Sequence, residues 1–135
     1  MRTSVVLGAA GFIGSHLCDA LLASNYSVIA VDDLSSGRMN NIEHLLNRED
    51  FNFIEQDICN PISINGEVDL IFNFASLASP PRYLKQPIHT LRTGSVGVEN
   101  AIKLAIAKNA RLVQASTSEV YGDPLQHPQS EDYHT

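Results

Sequence analysis

The sequence predicts an α/β fold, a doubly wound parallel sheet with helices on both faces, and three observations carry this prediction. Short runs of β-branched and apolar residues recur along the chain, at residues 4–7, 27–31, 51–55, 70–74 and 111–115. They lack the alternation of half-exposed strands, as is typical of strands buried on both faces of a parallel sheet. Helix-like segments separate several of these runs, and a glycine-rich turn follows the first.

The connecting segments complete the predicted order β-α-β-α-β-β-α-β. Residues 12–23 are predicted to form a helix, because apolar residues recur there every four positions and form one stripe. Residues 40–46 are predicted to form a short helix and residues 87–109 a long one, which a proline opens in its first turn. Two prolines in residues 78–82 predict a non-helical segment, and the chain after residue 122 reads as a loop.

The glycine turn has the spacing G-x-x-G-x-x-G, with Gly8, Gly11 and Gly14 between the first strand and the first helix. Gly8 allows a tight turn off the strand, Gly11 lets the backbone approach a pyrophosphate, and Gly14 lets the helix pack closely on the sheet. The helix N-terminus adds free N–H groups and a partial positive charge. Three glycines could be simple turn residues, but their position between strand and helix predicts a Rossmann-type dinucleotide-binding loop.

An acidic residue ends the second predicted strand. Asp32 lies 18 residues after Gly14, near the spacing expected for the carboxylate that binds the adenosine ribose. A carboxylate there accepts hydrogen bonds from ribose hydroxyls and repels a 2′-phosphate, so NAD is predicted in preference to NADP. Arg38 leaves NADP open as the alternative, because a nearby arginine can bind a 2′-phosphate. For Asp33, a solvated turn position and a role in the site are equally open.

Charge and hydropathy exclude several classes of function. The net charge is −6 and the isoelectric point about 5.2, which disfavours non-specific nucleic-acid binding because such binding needs a basic face. No apolar run approaches the roughly 18 residues that suggest a membrane span. The N-terminus lacks the charged and apolar regions of a signal peptide. We therefore expect a cytoplasmic protein without nucleic-acid or membrane partners.

The cysteines and histidines show no spacing typical of a metal site, so no metal is predicted. Cys18 and Cys59 are interpreted as reduced thiols, with a disulfide or redox role as the alternative. Roles at the surface or in helix packing are predicted for all five histidines, which are His16, His44, His89, His127 and His134.

Four segments together resemble a known family. Residues 8–17, 41–46, 78–83 and 115–124 look like the corresponding parts of extended short-chain dehydrogenase/reductases of the NAD-dependent epimerase/dehydratase family, which act on nucleotide sugars. Within that family the last two segments are most similar to UDP-glucuronate decarboxylases. The stretch at residues 117–119 reads Thr-Ser-Glu, where 4,6-dehydratases usually carry Asp-Glu and epimerases usually lack the acid.

The resemblance implies an activity. NAD would take hydride from C4 of the sugar, the 4-keto acid would lose CO2, and NADH would return hydride to give UDP-xylose. Thr117 would hydrogen-bond near the C4 oxygen. Glu119 would act as a general acid/base or position the sugar ring, with a surface acid as the alternative. Tyr121 is interpreted as a packing aromatic. Full-length members of the family form homodimers, and the sequence leaves the oligomeric state of this chain open.

The glycine turn, the acids and the resemblance together define the predicted sites. The cofactor-binding set comprises Gly8, Gly11, Phe12, Ile13, Gly14, Asp32, Asp33, Ser35, Ser36, Gly37, Asp57, Ile58, Phe74, Ala75, Ser76 and Ser116. The substrate-binding set comprises Ser79, Pro80, Tyr83 and Ser118.

The chain departs from the family in one respect. The family's catalytic Tyr-x-x-x-Lys pair is absent, because no lysine lies four residues after any tyrosine. Residues 1–135 are therefore expected to be an incomplete NAD-binding Rossmann domain, truncated before the C-terminal substrate region and inactive alone. Two alternatives stay open: another nucleotide-sugar enzyme such as a 4,6-dehydratase or 4-epimerase, and a non-catalytic dinucleotide-binding module. Gly94 is a milder departure, since many relatives have Asn there.

Overall fold

The computed structural model describes residues 1–133, and His134 lies outside these described residues. The strands are β1 (Arg2–Leu7), β2 (Tyr26–Asp32), β3 (Phe51–Glu55), β4 (Leu70–Asn73) and β5 (Arg111–Gln114). The α-helices are α1 (Phe12–Ala23), α2 (Pro80–Tyr83), α3 (Pro87–Arg92) and α4 (Val98–Lys108). Shorter turns complete the chain, as 3₁₀-helices at Met39–Asn41, Glu43–Leu45 and Ser118–Tyr121 and a π-helical turn at Thr93–Gly97.

The five strands form one parallel sheet in the order β3-β2-β1-β4-β5. The central strand β1 pairs with β2 on one side and β4 on the other, so that Val5 lies beside both Ile29 and Ile71. The chain thus winds outward in both directions from β1, which confirms the predicted doubly wound fold. In such sheets the strand order reverses at one point, and a crevice opens there beyond the carboxyl ends of the strands.

The core lies in two layers, one on each face of the sheet. Successive side chains of a strand point to opposite faces, so Val6 joins the layer under α1 while Val5 and Leu7 join the layer under α4. The first layer includes Cys18 of α1 and the second includes Leu104 of α4. Both faces of the central strands are therefore apolar, which is the property from which the parallel sheet was predicted.

The prediction of a non-helical segment at residues 78–82 was wrong. Pro80 and Pro81 occupy the first two positions of the one-turn helix α2, where a missing N–H costs nothing because it would have no intrahelical acceptor. Ser79 is extended before the turn, and its carbonyl accepts the N–H of Tyr83 at 3.0 Å. The two prolines therefore begin a helix here.

The long helix predicted at 87–109 is interrupted. A π-helical turn, Thr93–Gly97, separates α3 from α4, and Asn109 ends α4 in the left-handed conformation, with φ 50°. The Thr93 hydroxyl donates to the carbonyl of His89 at 2.9 Å, and the Ser95 hydroxyl donates to the carbonyl of Leu91 at 2.7 Å. Such bonds to the preceding turn disturb regular helix geometry, which is consistent with the interruption at this place. The short helix predicted at 40–46 is likewise divided into two 3₁₀ turns.

Among residues 1–133, no helix combines the length and apolar character needed to cross a membrane. Both cysteines are free and buried. Cys18 lies in the core under α1, where burial raises the pKa of its thiol to about 12.

Candidate functional site

A cleft of about 480 Å³, part of it open to solvent, lies at the carboxyl ends of β1, β2, β3 and β4. It occupies the point at which the strand order reverses, where ligands bind in sheets of this kind. The residues around it are Gly8, Gly11, Asp32, Asp33, Ser35, Ser36, Gln56, Asp57, Ile58, Phe74, Ala75, Ser76, Leu77, His89 and Thr93.

The glycine turn forms the floor of the cleft, and its geometry requires glycine. Gly8 has φ 82°, and a Cβ on it would lie 2.7 Å from the backbone nitrogen of Ala75. The N–H of Gly8 donates to the carbonyl of Val31 at 2.8 Å, so the turn is tied to β2. A Cβ on Gly14 would overlap the carbonyl oxygen of Gly8. The backbone therefore approaches both β4 and α1 more closely than any larger residue allows.

Helix α1 begins directly after this turn and points its N-terminus at the cleft. Gly11 is the N-cap residue and provides no side-chain cap, and the first turn carries no acidic residue. The first N–H groups of a helix have no intrahelical acceptor, so they remain free for an anion. The side chains of Phe12 and Ile13 are 78% and 61% exposed and do not line the cleft. Their contribution to a ligand would come from the backbone alone.

Asp32 joins the glycine turn to the loop after β2. Its Oδ2 accepts the N–H of Ala10 at 2.9 Å and its Oδ1 accepts the N–H of Leu34 at 2.8 Å, while only 7% of the residue is exposed. Burial raises the pKa of this carboxyl above its ordinary value; the two backbone hydrogen bonds oppose the shift and the neighbouring charge of Asp33 adds to it. Each oxygen has accepted one hydrogen bond and can accept another from a ligand hydroxyl.

Gly37 lies close behind Asp32. A Cβ on Gly37 would come within 2.8 Å of Asp32 Oδ1 and 2.9 Å of Ala10. Gly37 therefore lets the loop pack on the carboxylate, but it does not line the cleft.

A histidine lies between two carboxylates at the β2–β3 side of the cleft. His89 Nε2 is 3.1 Å from Asp57 Oδ2 and 3.7 Å from Asp33 Oδ2. Burial would raise the pKa of the Asp57 carboxyl, but hydrogen bonds from Cys59 and His89 and the charge of His89 outweigh it and lower the pKa. Asp33 also accepts the N–H and the hydroxyl of Ser35, at 2.9 and 2.6 Å.

The placement of His89 corrects its predicted role at the surface or in helix packing. Helix α3 carries it over the ends of β2 and β3, where it lines the cleft. Its partner Asp57 is 32 residues away in the sequence, and no spacing signal joins the two. Sequence reasoning likewise missed three further residues of the cleft wall, which are Gln56, Leu77 and Thr93.

The loop after β3 is held against the long helix. The side-chain amide of Asn100 donates to the carbonyls of Ile58 and Asn60, at 2.8 and 3.1 Å. A Cβ on Gly97 would lie 2.7 Å from Cγ1 of Ile58. Ile58 lines the cleft, so the absence of a side chain at Gly97 sets the position of this wall.

Gly97→Ala is expected to displace Ile58, weaken ligand binding in the cleft and lower the free energy of unfolding by about 1 kcal/mol or more, the cost of overpacking. Gly94→Ala is the matched control, because a Cβ there meets nothing within 4 Å. That variant should gain up to about 1 kcal/mol from helix propensity. Chemical denaturation of both proteins measures the difference, and equal stabilities would contradict the expected contact.

The opposite wall follows β4. The N–H of Phe74 donates to the carbonyl of Leu7 at 2.9 Å, and Phe74, Ala75 and Ser76 line the cleft. Asn73 is fully buried beneath them; its amide donates to Gln114 Oε1 at 2.8 Å, and its Oδ1 accepts the N–H of Ala75 at 3.3 Å. This pair of bonds sets the backbone of the wall.

Two groups of predicted residues lie outside the cleft. Ser116, Thr117, Ser118 and Glu119 follow β5 and are exposed. In the second group, Ser79 and Pro80 are exposed and Tyr83 is half-buried at the end of α2. Helix α2 is nevertheless tied to the cleft, because Nη1 of Arg82 donates to the carbonyl of Ser36 at 2.8 Å. Neither group is among the described residues that line the cleft.

Comparison with known proteins identifies the family. The model of the NAD dependent epimerase/dehydratase family matches residues 4–135. The chain is 49% identical over 129 residues to UDP-glucuronic acid decarboxylase 1 of Danio rerio, covering 96% of this chain and 30% of that protein. It is 48% identical over 129 residues to UDP-glucuronic acid decarboxylase 4 of Arabidopsis thaliana, covering 96% of this chain and 29% of that protein.

Solved structures show the same relationship. A UDP-galactose 4-epimerase superimposes with a TM-score of 0.83 at 32% identity, over 98% of this chain and 44% of that one. The dTDP-glucose 4,6-dehydratase of Bacillus anthracis, solved with NAD, superimposes with a TM-score of 0.79 at 28% identity, over 99% of this chain and 43% of that one. The chain thus spans about 30% of the length of the curated relatives quoted above. Because the family model matches residues 4–135, the chain belongs to the NAD dependent epimerase/dehydratase family.

Proposed function

We propose that the cleft binds NAD and that this chain supplies the cofactor-holding part of a UDP-glucuronate decarboxylase. The observation that carries the proposal is the buried Asp32 carboxylate, bonded to the backbone of the glycine turn at Ala10 and placed beside a free helix N-terminus. A helix end that binds anions, with a carboxylate beside it that accepts hydrogen bonds from hydroxyls, suits the pyrophosphate and the ribose of a nucleotide.

The residues present fit a dinucleotide. A Cβ on Gly8 would lie 2.7 Å from the backbone nitrogen of Ala75, so glycine lets the turn pack against the end of β4, and Gly8 and Gly11 line the cleft without side chains. We propose that the pyrophosphate lies over this turn and the free N–H groups of Phe12 and Ile13. The adenosine ribose would donate its hydroxyls to Asp32, with Ser35 and Ser36 at the rim.

The two walls of the cleft would contact different parts of the dinucleotide. Asp57 and Ile58 after β3 would flank the adenine, while Phe74, Ala75 and Ser76 after β4 would lie under the second ribose and the nicotinamide. Asp32 and Asp33 both disfavour a 2′-phosphate by charge repulsion, so NAD is favoured over NADP.

The chemistry of the bound cofactor is reversible hydride transfer, and the residues of this chain orient it. We propose that Thr117 and Glu119 act on the sugar from the segment after β5, with Thr117 near the C4 oxygen and Glu119 as acid/base or ring-positioning group. Ser116 would contact the cofactor from the same segment. Ser118 would contact the substrate from this side, and Ser79, Pro80 and Tyr83 from the segment around α2. The likeness to UDP-glucuronic acid decarboxylases at up to 49% identity supports UDP-glucuronate as the substrate class.

Titration calorimetry of the chain with NAD and NADP tests the cofactor assignment. We expect NAD to bind at least about tenfold more tightly, which corresponds to about 1.4 kcal/mol. Equal or stronger binding of NADP would overturn the preference, and it would point to Arg38 as a phosphate ligand. We expect no release of CO2 from UDP-glucuronate by the 135-residue chain with NAD, because its sequence lacks the Tyr-x-x-x-Lys pair.

A second candidate is a nucleotide-sugar 4-epimerase or 4,6-dehydratase. The superposition on UDP-galactose 4-epimerase and dTDP-glucose 4,6-dehydratase favours it. Product analysis separates the candidates when this chain is part of a protein that also contains the C-terminal substrate region and the Tyr-x-x-x-Lys pair. Formation of UDP-xylose from UDP-glucuronate supports the decarboxylase, whereas a 4-keto-6-deoxy sugar or a 4-epimerised sugar supports the second candidate. Absence of NAD binding by such a protein would contradict both assignments.

A further inference from the structure

Three residues that share no sequence motif bring metal-binding atoms together beside the cleft. One ligand atom each of Asp57, Cys59 and His89 lies within 4.8 Å of the others. Asp57 and Cys59 follow β3, and His89 comes from α3 and contacts Asp57 through its Nε2. The residues are carboxylate, thiol and imidazole, which are the three ligand types that protein zinc sites use.

We propose that Asp57, Cys59 and His89 form a binding site for a transition-metal ion of the Zn²⁺ class at the β3 side of the cleft. The three side chains would supply one oxygen, one sulfur and one nitrogen. A soft thiolate beside an imidazole selects zinc and its neighbours over Mg²⁺ and Ca²⁺, which prefer oxygen.

The geometry suits one ion. Asp57 Oδ2 and His89 Nε2 are 3.1 Å apart, close to the separation of two atoms that each lie about 2.0–2.2 Å from a shared zinc. Oδ1 of Asp57 accepts the N–H of Cys59 at 2.8 Å, so the carboxylate is oriented with Oδ2 toward His89, where the ion would lie. The fourth position would open toward Asp33, whose Oδ2 is 3.7 Å from His89 Nε2, or toward water.

The local charge also favours a cation. Asp32, Asp33 and Asp57 all line this end of the cleft, and His89 is the basic side chain among the lining residues. The Arg92 guanidinium acts on Cys59 from outside the lining. On binding, the Cys59 thiol would give its proton to solvent and the imidazole would bind through Nε2, so the ion would take the place of the hydrogen bond between His89 and Asp57. The Cys59 sulfur lies 3.8 Å from the Thr93 hydroxyl and forms no disulfide.

The second nitrogen of the His89 imidazole determines how tightly we expect the ion to be bound. His89 Nδ1 is buried and has no hydrogen-bond partner among the described residues. Metal-binding histidines usually donate this N–H to an acceptor, and losing such a partner weakens binding by about 10–100-fold. We therefore expect exchangeable binding, well short of that of a closed structural zinc site.

Binding of the ion would compete with binding of a dinucleotide. This consequence rests on the proposed function, in which Asp57 flanks the adenine. An ion bound by Asp57 and His89 would occupy the cleft wall after β3, and the Cys59 thiolate would be bound to the same ion. Zinc would then act as an inhibitor of cofactor binding, whereas the metal site itself needs only the three side chains.

Titration of the reduced chain with Co²⁺ tests the metal site, because cobalt reports its ligands by absorption. We expect a near-ultraviolet sulfur-to-cobalt charge-transfer band with intense visible bands of four-coordinate cobalt, both removed by Zn²⁺. Cys59→Ser should abolish the charge-transfer band. Cys18→Ser is the matched control, because Cys18 is buried in the core layer under α1. This variant should leave the band unchanged.

Two further variants keep the test decisive if Cys59→Ser unfolds. His89→Gln and Asp57→Asn should each weaken cobalt binding about tenfold or more while circular dichroism shows a folded protein. Asn at position 57 can still accept the N–H of Cys59. A folded chain without a charge-transfer band, or a band that persists in folded Cys59→Ser, would overturn the proposal.

Addition of NAD separates the metal site from the proposed function. If both hold, saturating NAD should raise the cobalt concentration needed for half-saturation. If NAD binds and leaves the cobalt titration unchanged, the competition is wrong. If calorimetry detects no NAD binding and the cobalt band is still present, the metal site stands and the cofactor assignment fails.

Discussion

Gly14→Ala is expected to abolish measurable NAD binding and to lower the free energy of unfolding by about 3 kcal/mol, the upper part of the range for overpacked sites. The added Cβ would overlap the carbonyl oxygen of Gly8 and approach Cα of Ala9 to 2.9 Å. Both are backbone atoms, so no side chain can rotate away. Either α1 must leave the sheet or the glycine turn must open, and each change destroys the floor of the cleft.

Gly11→Ala is the control that separates folding from binding. Its Cβ would lie 3.2 Å from the Gly8 oxygen, which a small adjustment can accommodate. We expect this variant to keep nearly the wild-type stability and to lose affinity for NAD, because Gly11 lines the cleft where the pyrophosphate is proposed to lie and a methyl group there would take up space. Denaturant unfolding and calorimetry measure the two properties. Wild-type stability and affinity in Gly14→Ala would show that the turn does not form as described.

Asp32→Ala is expected to lower the free energy of unfolding by about 2 kcal/mol and to remove the preference for NAD over NADP. The N–H groups of Ala10 and Leu34 lose their acceptor, and an unsatisfied buried donor costs about 1–3 kcal/mol. Part of this cost is recovered, because a carboxyl group held in a desolvated position is removed as well. Asp32→Asn keeps one acceptor and should be less destabilised.

The pH dependence of the same carboxyl gives a second measurement with a definite sign. Burial raises the pKa of Asp32 in the folded chain, so the folded state holds the proton more tightly than the unfolded chain. The stability that Asp32 contributes is therefore full below its ordinary pKa and declines as the pH rises through the raised value. NAD affinity should move the other way, since ribose hydroxyls donate to the ionised form. Parallel changes in stability and affinity across this window would refute the assigned contact.

Several parts of the fold and the site follow from local sequence. Helix α1 has the bounds predicted from its apolar period, and β3 has those predicted from its apolar run. Gly8 and Asp32 lie in the cleft, because strand-ending residues of a parallel sheet meet at its carboxyl edge. Each of these features depends on a pattern that repeats within a few residues or on the order of strands along the chain.

The chain on its own therefore determines a doubly wound sheet, its glycine turn and its first carboxylate. Only the folded structure showed that a double proline begins α2 and that a π-helical turn divides the long helix, although local bonds accompany both features. Tertiary packing alone decided that His89 contacts Asp57. The reason is physical. Strand and helix periodicity report which face of an element is buried, whereas a contact across 32 residues depends on where the fold places α3 relative to the loop after β3. The cluster of Asp57, Cys59 and His89 also depends on a contact between residues that are distant in the sequence, so only the folded chain reveals it.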